Sequence, residues 1–459
     1  MDPPNNHVIR RLRFLPLVAA TYFMVSGGPY GIEDAIGQAG YARTLLLLIL
    51  VPLCWSLPTA LMVGELASAL PEEGGFYVWV TRGLGPFWGF QEAWLSLAAS
   101  IFDMALYPAL TVSYLAQFSP GLATGHRGMA CRLGIIILCA AWNLRGASAV
   151  GRTSLWFSVL LLVPFAVLAW LGAWHAATHP LSSSTWLTSA GGSFKTALLV
   201  VLWNYMGWDN ASTIAREVER PQQTYTRAML ASVCLVALTY VGSAMAVALG
   251  GVPAAHLATG DWVVAARLLA NGGLLSDVLG GSIVIGGALT GIAMFNALTL
   301  SYARVPAAMA SDGFLPKALA RHNRQGVPYV AVLTCCLAWA SVSGFSFERL
   351  VELDISLYGL SLVLEFAALI ALRIRQPNLP RPYRIPGQMG GLLLISCPPL
   401  AIIVWAILAS RQEPVVFGSV KIPVLLFGGL LVGAGMLVYL LARPRGRRLR
   451  GQQRNQNLG

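Results

Sequence analysis

Ser26-Gly27-Gly28-Pro29-Tyr30-Gly31-Ile32-Glu33-Asp34-Ala35 interrupts an apolar run otherwise long enough to cross a bilayer. Trp203-Asn204-Tyr205-Met206-Gly207-Trp208-Asp209-Asn210-Ala211 interrupts a second such run in the same way. Gly31-Ile32-Glu33-Asp34-Ala35 and Gly207-Trp208-Asp209-Asn210-Ala211 can be laid over one another. A glycine-broken membrane helix carrying acids, present once in each half of a chain, points to the substrate site of a secondary transporter.

The rest of the chain agrees with a membrane setting. Its 459 residues are 56% hydrophobic and only 11% charged, where soluble proteins carry about 25% charged residues. A spanning helix needs about 20 mostly apolar residues. Twelve runs qualify: 14–38, 43–70, 86–117, 129–143, 153–174, 194–215, 227–250, 278–306, 329–343, 350–373, 391–409 and 421–442. The expectation is an all-α polytopic membrane protein with the bilayer as solvent. The mixed run 252–277 is expected to lie outside as a short surface helix.

The offset between the two breaks is 176 residues, Gly31 to Gly207, with five helices between them. An odd number of crossings turns the second half over, which makes an inverted repeat. The organisation expected is a cytoplasmic tail at 1–13, a first repeat of helices 1–5 at 14–174, and a second repeat of helices 6–10 at 194–375. Helices 11 and 12 at 391–442 and a basic cytoplasmic tail at 443–459 complete it. With both termini inside, 23 of the 31 Lys and Arg residues fall in cytoplasmic loops and tails. That bias sets both termini on the cytoplasmic side of the cell's cytoplasmic membrane. The net charge of +12 is therefore loop charge, and no nucleic-acid partner is expected. The short basic N-terminus runs directly into the first span, so no cleaved signal peptide is expected.

Chemistry concentrates at the breaks. Two glycines and a proline within 26–31 remove helix propensity and one backbone donor. The freed N–H groups of Ser26, Gly27 and Gly28 suit a carboxylate, aided by the positive end of the following half-helix. Glu33 and Asp34 are acids at membrane depth, where ionisable residues are functional candidates, and either suits an ammonium group. Trp203, Tyr205 and Trp208 offer ring faces to a cationic or apolar group. Asn204 both donates and accepts. Asp209 begins the second half of the broken sixth helix and suits proton coupling. Asp103 sits near the middle of the third helix with Tyr107 one turn on, on the same face. Left unpaired, that aspartate costs about 2.5 kcal/mol or more, so it needs a polar cavity or a partner. Asn296 is a further candidate, while Glu92 and Glu365 read as ties between helices. The substrate-binding candidates are thus Ser26, Gly27, Gly28, Tyr30, Glu33, Asp34, Asp103, Tyr107, Trp203, Asn204, Trp208, Asp209 and Asn296, with Asp209 and Asp103 as coupling candidates.

Other chemistries find no pattern. The seven cysteines lie in or at the ends of apolar runs without metal-ligand spacing or a disulfide framework. The six histidines are scattered, mostly in loops, and make no zinc site. Gly280-Gly281 and Gly286-Gly287 are packing glycines, since no strand–glycine–helix unit for a nucleotide surrounds them. No serine–histidine nucleophile pair stands out. Neither an enzyme activity nor a cofactor is expected.

Several motifs together resemble the amino acid–polyamine–organocation transporter superfamily, and within it the polyamine uptake transporters. They are Val25–Asp34, Gly64-Glu65-Leu66-Ala67 with Pro71–Gly75, Leu84–Glu92, Asp103 with Tyr107-Pro108, Trp208–Thr213, Glu217-Val218-Glu219, Leu364–Ala368 and Arg381–Pro386. The resemblance spans nearly the whole chain. It implies the leucine-transporter fold of five plus five inverted helices with two more, and alternating access. It also implies that the backbone at Ser26, Gly27 and Gly28 receives the substrate's carboxylate and ammonium groups, and that Asp209 holds a coupling or gating position. Polyamine-type members carry Trp-Asn-Leu-Asn-Tyr-Trp-Asp at the second break, where this chain has Met206 and Gly207 in place of the second asparagine and the tyrosine. Some relatives couple protons through a lysine in helix 5, and Ser154–Trp174 has none.

The functional expectation is an importer of amino acids or polyamines, with a cationic amine favoured by Glu33, Asp34, Asp103 and Asp209. Its partners would be a small-molecule substrate, the lipid bilayer, and protons or sodium; Thr299 and Ser301 offer hydroxyls of the kind sodium takes. A neutral amino acid exchanger is the alternative, with Met206 and Gly207 opening an apolar side-chain pocket. A non-transporting nutrient receptor and a channel are weaker readings.

Overall fold

The computed structural model describes residues 13–442 except 73, 123–124, 146–153, 181–185, 187–190, 211, 213–217, 220, 412–413 and 418–419. The tails expected at 1–12 and 443–459, and part of the Trp208–Glu219 stretch, lie outside the described residues.

The first apolar run forms not one helix but two, α1 (Phe14–Val25) and α2 (Glu33–Ala39), separated by an irregular stretch. Next come α3 (Tyr41–Val51) and α4 (Leu57–Ala69), joined without a break by a wide turn at Pro52–Ser56, so that 41–69 is one span. Pro52 and Pro58 remove backbone donors there, and the helix absorbs the mismatch as a π-bulge. A short helix the apolar runs did not announce, α5 (Phe76–Leu84), leads through Gly85 into α6 (Pro86–Leu115). Then follow α7 (Gly125–Asn143), α8 (Ser154–Thr178) and α9 (Phe194–Asn204), which stops at the second break. The second half continues with α10 (Pro221–Leu249), α11 (Trp262–Leu269), α12 (Gly273–Ser311), α13 (Tyr329–Ser341), α14 (Phe347–Arg375), α15 (Gln388–Ala409) and α16 (Val424–Ala442). Among the described residues eight helices are long and apolar enough to span a membrane, and α1, α9 and α13 are shorter apolar helices.

Two expectations need correction. The run 252–277 does not lie free on the surface. Trp262, Val263, Ala265 and Ala266 of α11 are buried, and the Trp262 indole donates to the Pro29 carbonyl at 2.8 Å. An amphipathic stretch too short to span instead plugs one end of the bundle over the first break. The last span begins at Val424, not 421, because Pro414–Phe417 and Val420–Pro423 pair as an antiparallel hairpin (β1, β2). Val415, Val416 and Ile422 favour extended backbone, and Pro423 ends the pairing.

The centre of the bundle is α6, which packs along α14 and α12, while α10 packs on α1, α4 and α8. The periphery is apolar and open: Leu425, Leu426, Leu430, Leu437, Leu440 and Leu441 of α16 are all exposed. Such a surface is stable only against lipid. We call the two ends of the bundle the Gly260 end, where α2 and α11 meet, and the Arg373 end, where α14 finishes.

The Arg373 end is fixed by charge. Arg373 reaches the two oxygens of the Glu65 carboxylate on α4 at 2.9 and 2.5 Å. Glu65 also takes the Ile385 N–H at 2.8 Å and lies 3.4 Å from Arg381. Both members of the central pair are buried. Removing one partner of such a pair costs about 3–5 kcal/mol. Glu65→Ala should therefore lower the thermal midpoint in detergent sharply. Glu72→Ala, which breaks a half-exposed pair with Arg82, should scarcely move it, since surface pairs contribute about 0–1 kcal/mol. Thermal unfolding of the two variants checks this.

Candidate functional site

The two breaks meet. A closed central cavity is lined by Ser26 and Tyr30 from the first, by Trp203, Asn204, Met206, Gly207 and Asn210 from the second, and by Asp103 and Tyr107 of α6. Met294 and Tyr302 of α12 and Asp354 and Tyr358 of α14 complete its polar and sulfur-bearing wall. Its free volume is about 30 Å³, room for one or two waters.

Local chemistry explains how each break is held. Ser26 and Gly27 N–H both turn back to the Tyr22 carbonyl, and Gly28 N–H donates to the Ser26 hydroxyl at 3.2 Å. Thr290 of α12 donates to the Gly27 carbonyl at 3.0 Å. The freed backbone is therefore satisfied inside the protein, as the bilayer requires. Gly27 has φ +60°, and a Cβ there would stand 2.5 Å from the Met294 sulfur. At the second break Gly207 has φ +87°, and its N–H points to the Tyr358 hydroxyl at 3.4 Å. The Asn204 carbonyl accepts from the Tyr240 hydroxyl, and the Trp208 indole donates to the Tyr205 carbonyl.

Asp103 is the best-connected acid of the cavity. Its Oδ1 accepts from the Tyr107 hydroxyl at 3.0 Å and the Trp203 indole at 3.3 Å, and its Oδ2 from the Tyr302 hydroxyl at 3.1 Å. All three donors are neutral. Asp354 faces the same cavity, and its Oδ2 is buried without a partner. Among the described residues no lysine, arginine or histidine lines the cavity. Two carboxylates thus look into one small space without a cation of the protein's own.

The remaining sequence candidates lie elsewhere. Glu33 is fully buried but off the cavity. Its carboxylate accepts from Gly31 N–H at 2.7 Å, Gly260 N–H at 2.8 Å and the Tyr114 hydroxyl. It clasps the first break to the Gly260 loop and to α6. Asp34 is next to it in sequence, near Glu348 and Asp261, with one buried oxygen unpartnered. Asp209 accepts from the Tyr358 hydroxyl at 2.5 Å, just behind the cavity wall. Asn296 accepts from the Asn143 side chain at 2.8 Å, tying α12 to α7. Gly27, Gly28 and Trp208 support the wall without lining it. The Thr299 hydroxyl bonds back to Phe295. Among the described residues no group of three or more His, Cys, Asp or Glu side chains is arranged to hold a metal ion. Sequence reading did not single out Asp354, Tyr302, Tyr358, Met294 or Asn210. The available signal for Asp354 was an acid inside an apolar run, one turn before a tyrosine.

A family model described as amino acid permease matches residues 18–439. The chain belongs to this family. It is 34% identical to a probable polyamine transporter of Arabidopsis thaliana over 94% of this chain and 85% of that protein. It is 31% identical to a polyamine transporter of Oryza sativa subsp. japonica over 92% of this chain and 77% of that protein. A serine/threonine exchanger of Bacillus subtilis is 25% identical over 81% of this chain and 84% of that protein. The protein is accordingly a multi-pass membrane transporter and not an enzyme.

Gly27→Ala should damage the site on two counts: a left-handed backbone costs an L residue about 1–2 kcal/mol, and the new Cβ collides with Met294. We expect a lower thermal midpoint and lost uptake. Gly242→Ala, where nothing lies within 4 Å, should leave both unchanged. Melting curves and uptake assays on the same preparations decide it.

Proposed function

We propose that this permease imports a cationic amine, a polyamine or cationic amino acid, across the cytoplasmic membrane by proton-coupled alternating access. The observation that carries the reading is the pair Asp103 and Asp354 facing one cavity with only neutral donors around them. A buried negative charge of this kind is completed by a positive ligand. The names of the plant relatives point the same way.

In this reading the twelve apolar runs are twelve spans in a five-plus-five inverted repeat with two more, both termini are cytoplasmic, and the Gly260 end faces outward. The breaks form the centre about which one bundle rocks. An ammonium group binds between Asp103 and Asp354, with Tyr107, Tyr302 and Trp203 turning from carboxylate donors into ring walls. Asp209, one hydroxyl away from the cavity through Tyr358, carries the coupling proton. A ligand shifts the states only through its different affinity for each. The apolar part of the wall, Met24, Met206 and Met294, favours a second reading as a neutral amino acid exchanger, in line with the name of the bacterial relative.

Uptake into proteoliposomes with an acid exterior tests these readings. Putrescine, spermidine or arginine should accumulate, and failure of all three would remove the leading reading. Counterflow of serine or threonine without any gradient would favour the exchanger. Asp103→Asn and Asp354→Asn should each raise the KM for the cation about tenfold or more, the strength of one charge-assisted contact. An equal loss for neutral amino acids would instead mark a folding or coupling role. Asp209→Asn should abolish the response to the pH gradient and retain exchange.

A further inference from the structure

Four polar residues of α14 form one stripe. Asp354, Tyr358, Ser361 and Glu365 follow one another at spacings of four, three and four, which keeps them within about 60° of arc over about 16 Å of helix. The stripe starts in the central cavity, which Asp354 and Tyr358 line, and runs toward the Arg373 end. Each step has a partner or a vacancy. Tyr358 donates to Asp209 at 2.5 Å. Ser361 donates to Oε1 of Glu92 on α6 at 3.0 Å. Oε2 of Glu92 and both oxygens of Glu365 are buried without any partner.

Glu92 and Glu365 are completely shielded from solvent, each 0% exposed. The charged neighbours that Glu365 feels are Asp209 and Glu92, both acids. Besides the Ser361 hydroxyl, phenols stand around this group: Tyr358 on the same helix, Tyr77 of α5 near Glu92, and Tyr225 of α10 near Asp209. Among the described residues, the cations on α14 and against it have partners elsewhere: Arg373 pairs with Glu65 and Arg375 with the Gly83 carbonyl below the stripe, and Arg349 and Lys195 with Glu352 above it. Among the described residues no cation reaches these three carboxylates, and three like charges buried together cannot all be ionised, because like charges at that depth are too costly. A carboxylic acid needs a proton there, and a proton needs a route in.

We infer that Glu365 and Glu92 form a second proton-binding site, separate from the substrate cavity, and that the α14 stripe carries the proton between it and Asp209. This rests on the proton-coupled reading above. The step is a plain transfer: an O–H bond to one carboxylate breaks as an O–H bond to the next acceptor forms, with the Tyr358 and Ser361 hydroxyls re-aiming their own protons. Glu365 is a positioning and relay residue that never touches the substrate. Asp209 alone would then be insufficient for coupling.

The test uses full-length protein in proteoliposomes with an internal pH dye and spermidine as substrate. Glu365→Gln keeps shape and removes the titration. It should lose at least tenfold in pH-gradient-driven accumulation and lose substrate-evoked proton movement, with spermidine counterflow near the wild-type rate. Glu365→Asp should restore gradient-driven uptake with a displaced pH profile, which a packing role would not produce. Ser361→Ala, which cuts the Glu92 contact, should slow proton movement and spare counterflow. Wild-type pH profile and accumulation in Glu365→Gln would overturn the inference while leaving proton coupling intact. Equal loss of counterflow and coupling in Glu365→Gln, without rescue by Glu365→Asp, would also overturn it. Wild-type protein that exchanges spermidine but ignores the gradient would sink the coupling reading itself, and this inference with it.

Discussion

A buried carboxylate without a countercharge organises this molecule. Asp103 sits at the middle of α6, and three neutral donors from three different segments converge on it: Tyr107 of α6, Trp203 of α9 and Tyr302 of α12. Each hydrogen bond to a charged group contributes about 1.5–3 kcal/mol, which offsets only part of the cost of keeping that charge from water. The bonds also fix geometry. They hold the end of α9 against α6 and draw α12 across, so the second break opens beside the first. Asp354 then adds a second carboxylate with a free oxygen. Among the described residues, the centre of the protein is thus left short of positive charge.

The breaks obey a different constraint, that backbone polar groups at membrane depth find partners in the protein. At the first break the partners are local: Tyr22 and Ser26 take the loose N–H groups. Glu33 then acts at a distance. By binding Gly31, Gly260 and Tyr114 it fastens the break to the loop that α11 closes and to α6. The indole of Trp262 adds a bond to Pro29. A carboxylate next to a broken helix need not face a ligand; here it replaces missing helical hydrogen bonds.

Much of this was legible in the sequence, and the illegible part has a common cause. The breaks announced themselves because glycine, proline and acid are conspicuous in apolar runs, and Asp103 with Tyr107 because a four-residue spacing is local. Asp354 was hidden by its surroundings: Glu348, Arg349 and Glu352 make the start of that run look like a solvated helix end. Tyr302 and Tyr358 look like packing aromatics until α12 and α14 are laid against α6. Glu33 and Asp34 read as equals from spacing, and only the non-local partners Tyr114 and Gly260 distinguish them. The mixed run at 252–277 reads as a short helix, but its buried face is defined by the break it covers and does not show in local pattern. Local pattern gives the helices and the places where they fail; which acid meets which hydroxyl is decided by packing between segments hundreds of residues apart.

The two ends of the bundle are closed by unequal means. At the Arg373 end a larger cavity of about 530 Å³ opens between α5 and α12, lined by Tyr77, Ser301, Arg304, Val305 and Asp312 among others. Ser301 and Val305 face this cavity, while Tyr302 between them faces the central one. Neighbouring residues of α12 thus serve the two spaces, and the Tyr302 hydroxyl is held on Asp103. The nearby contact of Tyr77 with Asp312 at 2.6 Å lies at the rim of the larger cavity, where water can take over part of the about 1.5–3 kcal/mol that a hydrogen bond to a charged group contributes. The buried Glu65–Arg373 pair has no such substitute, and separating it would strand two charges.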